Sequence, residues 1–265
     1  MLRTTRMALA AAAVVATGAA CSGATPAGPA TAGPTAAASA PAAGPTAAAS
    51  APAAGPSGSA PAIDPAAFGG TIDNPFFPLR PGMRWEYRSR TEEGVETTVV
   101  TVTTATRTLM GVTCVEVRDT VRLDAALKED TRDWYAQDRT GAVWYFGEDT
   151  KEYENGKVSS TEGSWLAGVG GGRPGIIMPA TPTVGDRYRQ EYLKGEAEDQ
   201  AAVISLAERA TVPAGSYQGL VMTEETTPLE PGVREHKYYA RGIGVVLTID
   251  LSTGGTRDEL VRVTR

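Results

Sequence analysis

The chain has 265 residues, with 25 Lys and Arg, 31 Asp and Glu, and one His. Arg3 and Arg6 precede the first acidic residue, Asp64, so the part from residue 64 onward carries 23 basic against 31 acidic residues, a net of −8. That balance argues against a nucleic-acid partner, because phosphate-backbone binding rests on clustered Lys and Arg.

The first segment has the pattern of a secretory signal peptide over residues 1–20. Arg3 and Arg6 give a positive start, Met7 to Ala16 an apolar stretch, and Gly18-Ala19-Ala20 a small-residue run before Cys21. The apolar stretch is too short for a transmembrane helix. The small residues ending at Cys21, followed by Ser22-Gly23, resemble a bacterial lipobox. The resemblance implies that the Cys21 thiol receives diacylglycerol and becomes the first residue of the mature protein. The expected partner is then the membrane, through the Cys21 lipid anchor, and the expected location is the outer face of the cell membrane within the envelope. Gly18 stands where such sequences usually carry Leu, and plain secretion after cleavage at Ala20 is the alternative.

Residues 21–63 read as a disordered tether behind the lipidated cysteine. From Met7 to Ile63 there is no charged residue, and no aromatic residue precedes Phe68. Such a segment cannot bury enough apolar area to offset its chain entropy. An eleven-residue unit at 32–42 recurs unchanged at 43–53, and its prolines oppose helix nucleation. As a flexible coil the tether would span roughly 35–40 Å, and as extended polyproline about 130 Å. Its Ser and Thr residues among prolines also resemble O-glycosylated stalks.

Residues 64–265 read as one all-β domain. Arg84-Trp85-Glu86-Tyr87-Arg88 alternates charge with aromatic, as a half-buried strand does. Asn155-Gly156 is a type I′ hairpin signal that would pair Glu154 with Lys157 and Tyr153 with Val158. A four-residue turn, Asp138 to Gly141, would set Tyr135 opposite Trp144 and Trp134 opposite Tyr145. The segment 196–209 could be a helix, but its alternation favours a strand.

The two halves echo each other at offsets of 103 to 106 residues. Pro78 to Tyr87 resembles Pro182 to Gln190, Val115 to Thr120 resembles Val221 to Thr226, and Trp134-Tyr135-Ala136 resembles Tyr238-Tyr239-Ala240. Their shared order predicts tandem five-strand units, about 78–149 and 182–250, with an insert at 150–181. About ten strands would form a single curved antiparallel sheet, a half-barrel or open barrel. Trp134 and Tyr238 should share one face, and Tyr135 and Tyr239 the other.

Asn74-Pro-Phe-Phe-Pro-Leu-Arg-Pro-Gly-Met-Arg-Trp-Glu-Tyr87, Val212-Pro-Ala-Gly-Ser-Tyr217 and Tyr238-Tyr-Ala-Arg-Gly-Ile-Gly244 resemble segments of a group of uncharacterised exported bacterial β-domains and lipoproteins. The resemblance implies a lipoprotein-carrier-like clamp, a curved sheet with an apolar concave face. The chain departs from that pattern at Arg241, where proline is common, and the group transfers no catalytic residue.

Chemistry-bearing residues are sparse. A Ser–His–acid triad would have to use His236, and no Gly-x-Ser-x-Gly elbow occurs. One His also excludes a His-rich zinc site. Glu148, Asp149, Glu152 and Glu154 cluster at the Asn-Gly hairpin, but the ligand loop of a calcium site is missing and a solvated edge explains them. Cys114, between valines, reads as a buried small hydrophobe. No cofactor or metal is expected, and no enzymatic activity.

What remains is the aromatic set. Trp85, Tyr87, Trp134, Tyr135, Trp144, Tyr188, Tyr238 and Tyr239 are candidates to line a site for a lipid or other apolar ligand. Gly170, Gly171 and Gly172 with Ile176 and Met178 are candidates for a lid loop over it. The leading expectation is therefore a non-enzymatic, lipid-anchored β-clamp that binds an apolar or amphiphilic ligand. The alternative is a tethered structural or interaction module of the envelope whose interior is filled.

Overall fold

The structure, a computed structural model, describes residues 63–265. The expected signal peptide, Cys21 and almost all of the tether lie outside the described residues. A short 3-10 turn, Pro65–Ala67, precedes β1 (Arg84–Thr91), β2 (Gly94–Leu109), β3 (Val112–Leu123), β4 (Ala126–Gln137) and β5 (Val143–Glu154). Then follow β6 (Lys157–Ser160), β7 (Trp165–Leu166), β8 (Arg173–Met178), β9 (Arg187–Arg189) and β10 (Glu191–Tyr192). The chain continues through β11 (Gln200–Val212), β12 (Gly215–Thr226), β13 (Arg234–Ala240), β14 (Gly244–Asp250) and β15 (Thr256–Thr264).

These strands form one antiparallel sheet in the order β10-β8-β5-β4-β3-β2-β1-β15-β14-β13-β12-β11-β9, with β6 and β7 also paired to β5. The all-β reading holds, and 196–209 belongs largely to β11. The described residues contain fifteen strands rather than about ten. The additional ones are mostly short pieces of the 150–192 region, together with β15, which bridges β1 to β14.

Strand order is the same in the two halves. β5-β4-β3-β2-β1 is a meander, and β14-β13-β12-β11-β9 runs in the corresponding order. Register agrees as well. Tyr135 pairs with Val115 and Tyr145, and Tyr239 pairs with Val221 and Val245. Tyr135 and Tyr239 are fully buried, while Tyr238, on the opposite face from Tyr239, is half-buried. Trp134 lies beneath the Arg107 guanidinium, 4.4 Å from it.

One register differs from expectation. The turn before β5 is five residues, Asp138 to Ala142, closed by an Asp138 N–H to Ala142 carbonyl bond of 2.9 Å. Asp138 Oδ1 accepts from the Thr140 and Ala142 N–H groups, which a four-residue turn could not arrange. The extra residue places Tyr135 opposite Tyr145 and Ala136 opposite Trp144, and a bulge then sets Trp134 against Gly147. The Asn155-Gly156 hairpin has the expected pairs, Glu154 with Lys157 and Tyr153 with Val158.

The sheet is curled but not closed. Its two end strands, β9 and β10, are separated in the chain only by Gln190. β9 hydrogen-bonds to β11, β10 to β8, and the continuous segment 187–192 therefore brings the two edges together. Gly175 in β8 permits that approach. A Cβ there would sit 2.4 Å from the Arg189 carbonyl oxygen and 2.5 Å from the Gln190 carbonyl carbon, both backbone atoms. Gly175→Ala must push the seam apart, at a cost of about 1–3 kcal/mol. Its thermal midpoint should fall by about 2 °C or more, read by circular dichroism. An unchanged midpoint would mean that the seam is loose.

Candidate functional site

The inner face of the sheet has an apolar layer and a polar one. In the apolar layer, Tyr135 stacks on Tyr145 with centroids 4.8 Å apart, Phe77 meets Tyr135 edge-on at 5.6 Å, and Trp165 meets Tyr145 at 5.4 Å. Trp85 donates from Nε1 to the Ile243 carbonyl at 2.8 Å, and the Tyr87 hydroxyl donates to the Val245 carbonyl at 3.0 Å. These bonds cross from β1 to the β13–β14 connection and to the start of β14, and tie the two halves together.

A segment not foreseen as a cover lies over this layer. Ile72, Phe77 and Leu79 are buried, and Asn74 fixes the segment by donating from Nδ2 to the carbonyls of Gly141 and Pro179. The Asp73 and Asn74 N–H groups both donate to Gln137 Oε1, and the Gly242 N–H donates to the Pro75 carbonyl. Its sequence signal was a run of aromatics and prolines without charge, Asn74 to Leu79, ahead of the first long strand. Beneath it remains a cavity of about 10 Å³ lined by Phe77, Leu79, Trp85, Tyr87, Val100 and Val245, room for about one water molecule.

The candidate ligand-lining residues are therefore distributed as follows. Trp85, Tyr87, Trp134, Tyr135 and Tyr239 are buried, and Trp144, Tyr188 and Tyr238 are half-buried. Only Trp85 and Tyr87 border the small cavity. Of the lid candidates, Gly170 and Gly171 lie in an exposed turn, and Gly172 closes it through its bonds with Gly168 and Val169. Ile176 and Met178 are strand residues of β8, paired with Trp144 and Val143.

The polar layer is dominated by carboxyl groups. On β4 the inward positions are Glu129, Thr131, Asp133 and Tyr135, and on β5 they include Thr150 and Glu148. The seam adds Gln190, Glu191 and Asp199, and the second half adds Glu225, Glu235, Lys237 and Asp258, each less than a tenth exposed. Register explains the arrangement. Glu96, Ser89, Asp258, Thr248, Lys237 and Thr223 are successive cross-strand partners from β2 to β12, and so stand on one face.

Hydroxyl and indole groups of the apolar layer satisfy some of these acids. The Tyr145 hydroxyl donates to Asp133 at 2.7 Å, Trp165 Nε1 to Glu191 at 2.7 Å, and the Tyr239 hydroxyl to Glu225 at 3.0 Å. The Thr150 hydroxyl donates to Glu148 at 3.0 Å. Lys237, 1% exposed, donates to Glu225 at 2.7 Å and stands 3.8 Å from Glu235. Both carboxyl oxygens of Asp258 and both polar ends of Gln190 have no hydrogen-bond partner among the described residues.

Burial sets the protonation of this layer. It raises the Asp133 carboxyl to about 7 despite the Tyr145 bond, and Glu235 to about 7 despite Lys237. It raises Asp199 to about 8, with the Thr227 hydroxyl easing it in part. Glu148, Glu191 and Asp258 rise well above the carboxylate range, again by burial first and then by repulsion from neighbouring acids. Asp133, Glu148, Glu191 and Asp199 act on one another, so protons are shared across the group. Burial disfavours the Lys237 ammonium, but Glu225 and Glu235 outweigh it and hold the lysine charged.

The other singled-out residues lie apart from this layer. His236 faces Glu224 at 3.6 Å beside the Arg234–Glu224 pair. Cys114 is buried, donates to the Val112 carbonyl, and has its thiol pushed up to about 12 by burial, which makes it a packing residue. Of the hairpin acids, Glu148 points inward, whereas Asp149 pairs with Lys151 at 2.9 Å. Among the described residues no group of three or more His, Cys, Asp and Glu side chains could hold a metal ion.

The described domain is thus an open, curled antiparallel sheet with an acid-rich interior. No family model and no curated protein matches the chain. Two solved structures are similar to it. One is a "putative exported protein with YmcC-like fold" from Bacteroides fragilis NCTC 9343, 15% identical, covering 72% of this chain and 99% of that one with a TM-score of 0.40. The other is a "putative lipoprotein" from Parabacteroides distasonis ATCC 8503, 12% identical, covering 71% and 98% with a TM-score of 0.39.

The carboxyl layer dictates how stability depends on pH. An acid whose folded pKa is raised contributes fully below its unfolded value near 4 and loses that contribution as pH rises through the folded value, here about 7 to 8. Asp130, held down by Arg118, acts in the opposite sense and loses its contribution in acid. The thermal midpoint should peak at about pH 4 and fall by about 5 °C or more by about pH 8. Glu148→Gln should flatten the alkaline limb. A midpoint flat from about pH 5 to about pH 8 would contradict the assignment.

Proposed function

We propose that the protein is an exported, lipid-anchored β-domain that serves the cell envelope as a tethered interaction module, without enzymatic activity. The observation that carries this reading is the close packing of the inner aromatic layer. Tyr135, Tyr145, Phe77 and Trp165 pack ring against ring, and the space between the segment Ile72 to Leu79 and Trp85 and Tyr87 is only about 10 Å³. A ligand pocket for a lipid-sized molecule would need several hundred Å³. The signal-peptide pattern, the small-residue run before Cys21 and the uncharged segment to Ile63 support export and anchoring. Recognition then belongs to the outer surface, held away from the membrane by the tether.

Two measurements test this reading. In cell fractionation the wild type should partition with the membrane, and Cys21→Ser should move to the soluble fraction. Native mass spectrometry of the Cys21→Ser chain should give the mass of the polypeptide alone. A mutant that stays in the membrane sinks the anchor. A co-purified lipid sinks the close-packed reading and restores the clamp, which would then have to open by lifting the segment 72–79.

A further inference from the structure

The outer surface of the seam carries a group of arginines that nothing in the interior chemistry uses. Tyr188 points inward from β9, with its hydroxyl buried, so Arg187 and Arg189 project outward on either side of it. Across the seam, Arg173 of β8 is the backbone partner of Tyr192 in β10. The Arg189 guanidinium lies 4.6 Å from the centre of the Tyr192 ring, and that of Arg173 lies 5.7 Å from it. Two exposed cations thus share one aromatic ring.

No ion pair or side-chain hydrogen bond joins Arg173, Arg187 or Arg189 to the described residues. This occurs in a domain with 31 acidic residues, where Arg84, Arg118, Arg234, Arg257 and Arg262 do have carboxylate partners. Two guanidiniums held beside one ring repel each other, and the ring quadrupole offsets that only in part. An anion between them removes the repulsion. The positions are also fixed in advance, because the close approach at Gly175 locks β8 against Arg189 and Gln190. Planar guanidinium forks match the oxygens of a phosphate group in paired hydrogen bonds, which a lysine cannot do.

We propose that Arg173 and Arg189 beside Tyr192, with Arg187 next on the outward face of β9, form a seat for a phosphate group, supplied by an anionic phospholipid headgroup or by free phosphate. The seat gives the tethered module a ligand class at its surface, and rests on that reading only in placing this surface among the anions of the envelope.

The test uses the full chain carrying Cys21→Ser, so that no acyl anchor contributes to membrane binding. One arm is flotation with phosphatidylcholine vesicles, with and without phosphatidylglycerol. The other is titration with inorganic phosphate at constant ionic strength, following the guanidinium ¹⁵N–¹H signals of Arg173 and Arg189. The comparison variants are Arg173→Gln with Arg189→Gln, and a charge-matched control, Arg88→Gln with Arg90→Gln on the outer face of β1. Binding to phosphatidylglycerol vesicles that weakens about tenfold or more in the seam variant alone supports the seat with a headgroup ligand. Phosphate-induced shifts without vesicle binding support the seat with free phosphate. Equal weakening in both variants, or no response in either arm, overturns the seat. Arg173→Lys with Arg189→Lys keeps the charge and loses the paired forks, so it should also weaken binding should the glutamine variant fail to fold. Membrane fractionation that depends on Cys21 alongside absent phosphate binding would remove the seat and leave the module reading standing.

Discussion

A sheet whose inner face buries Asp133, Glu148, Glu191, Asp199, Glu235 and Asp258 is most stable while those carboxyl groups keep their protons. Transferring an ionised carboxylate into a low-dielectric interior is far costlier than keeping its proton. The rest of the interior is arranged around that constraint. Tyr145, Tyr239 and Trp165 turn their polar ends toward Asp133, Glu225 and Glu191, so each aromatic ring belongs to the apolar layer and its donor to the polar one. Lys237 makes the one buried cation worth holding, because Glu225 and Glu235 face it from adjacent strand positions. The buried pair itself adds little net stability, but removing either partner would strand a charge.

The seam connects this constraint to the outer surface. Gln190 and Glu191 are buried where the chain leaves β9 for β10, while Arg189 and Tyr192 on either side remain at least partly exposed. The short segment that brings the two sheet edges together therefore supplies acid to the interior and basic charge to the outside. The continuous segment 187–192, bonded to β11 at one end and β8 at the other, also covers part of each sheet edge, which would otherwise invite pairing with another chain. Asn74 and Gln137 anchor the cover over the aromatic layer through bonds that span more than sixty residues of sequence.

Much of the fold was legible because strand period and turn chemistry are local. Arg84 to Arg88 alternates cleanly, Asn155-Gly156 sets its own hairpin register, and the paired echoes put Tyr135 and Tyr239 on one shared face, which burial shows to be the inner one. The site was less legible for a specific reason. Inward positions are ordinarily read from hydrophobicity, and on β4 the inward residues Glu129, Thr131 and Asp133 are polar, so hydrophobicity gives no signal for them. Glu148 was taken for part of an exposed hairpin edge on the same ground. The extra residue in the 138–142 turn moved Trp144 by one position, because Asp138 accepts bonds from residues two and four ahead. Ile176 and Met178 followed a glycine run and so resembled a loop, whereas β5 captures them as a strand.

The account rests on protonated carboxyl groups inside the sheet, and side-chain carboxyl ¹³C chemical shifts followed through a pH titration test it most directly. The Asp133 and Glu235 carbons should titrate near 7 and that of Asp199 near 8, with several acids moving together. Titration of all of them near about 4, as for carboxyl groups in water, would mean that the interior admits solvent or cations and that the layer is not the buried constraint described above.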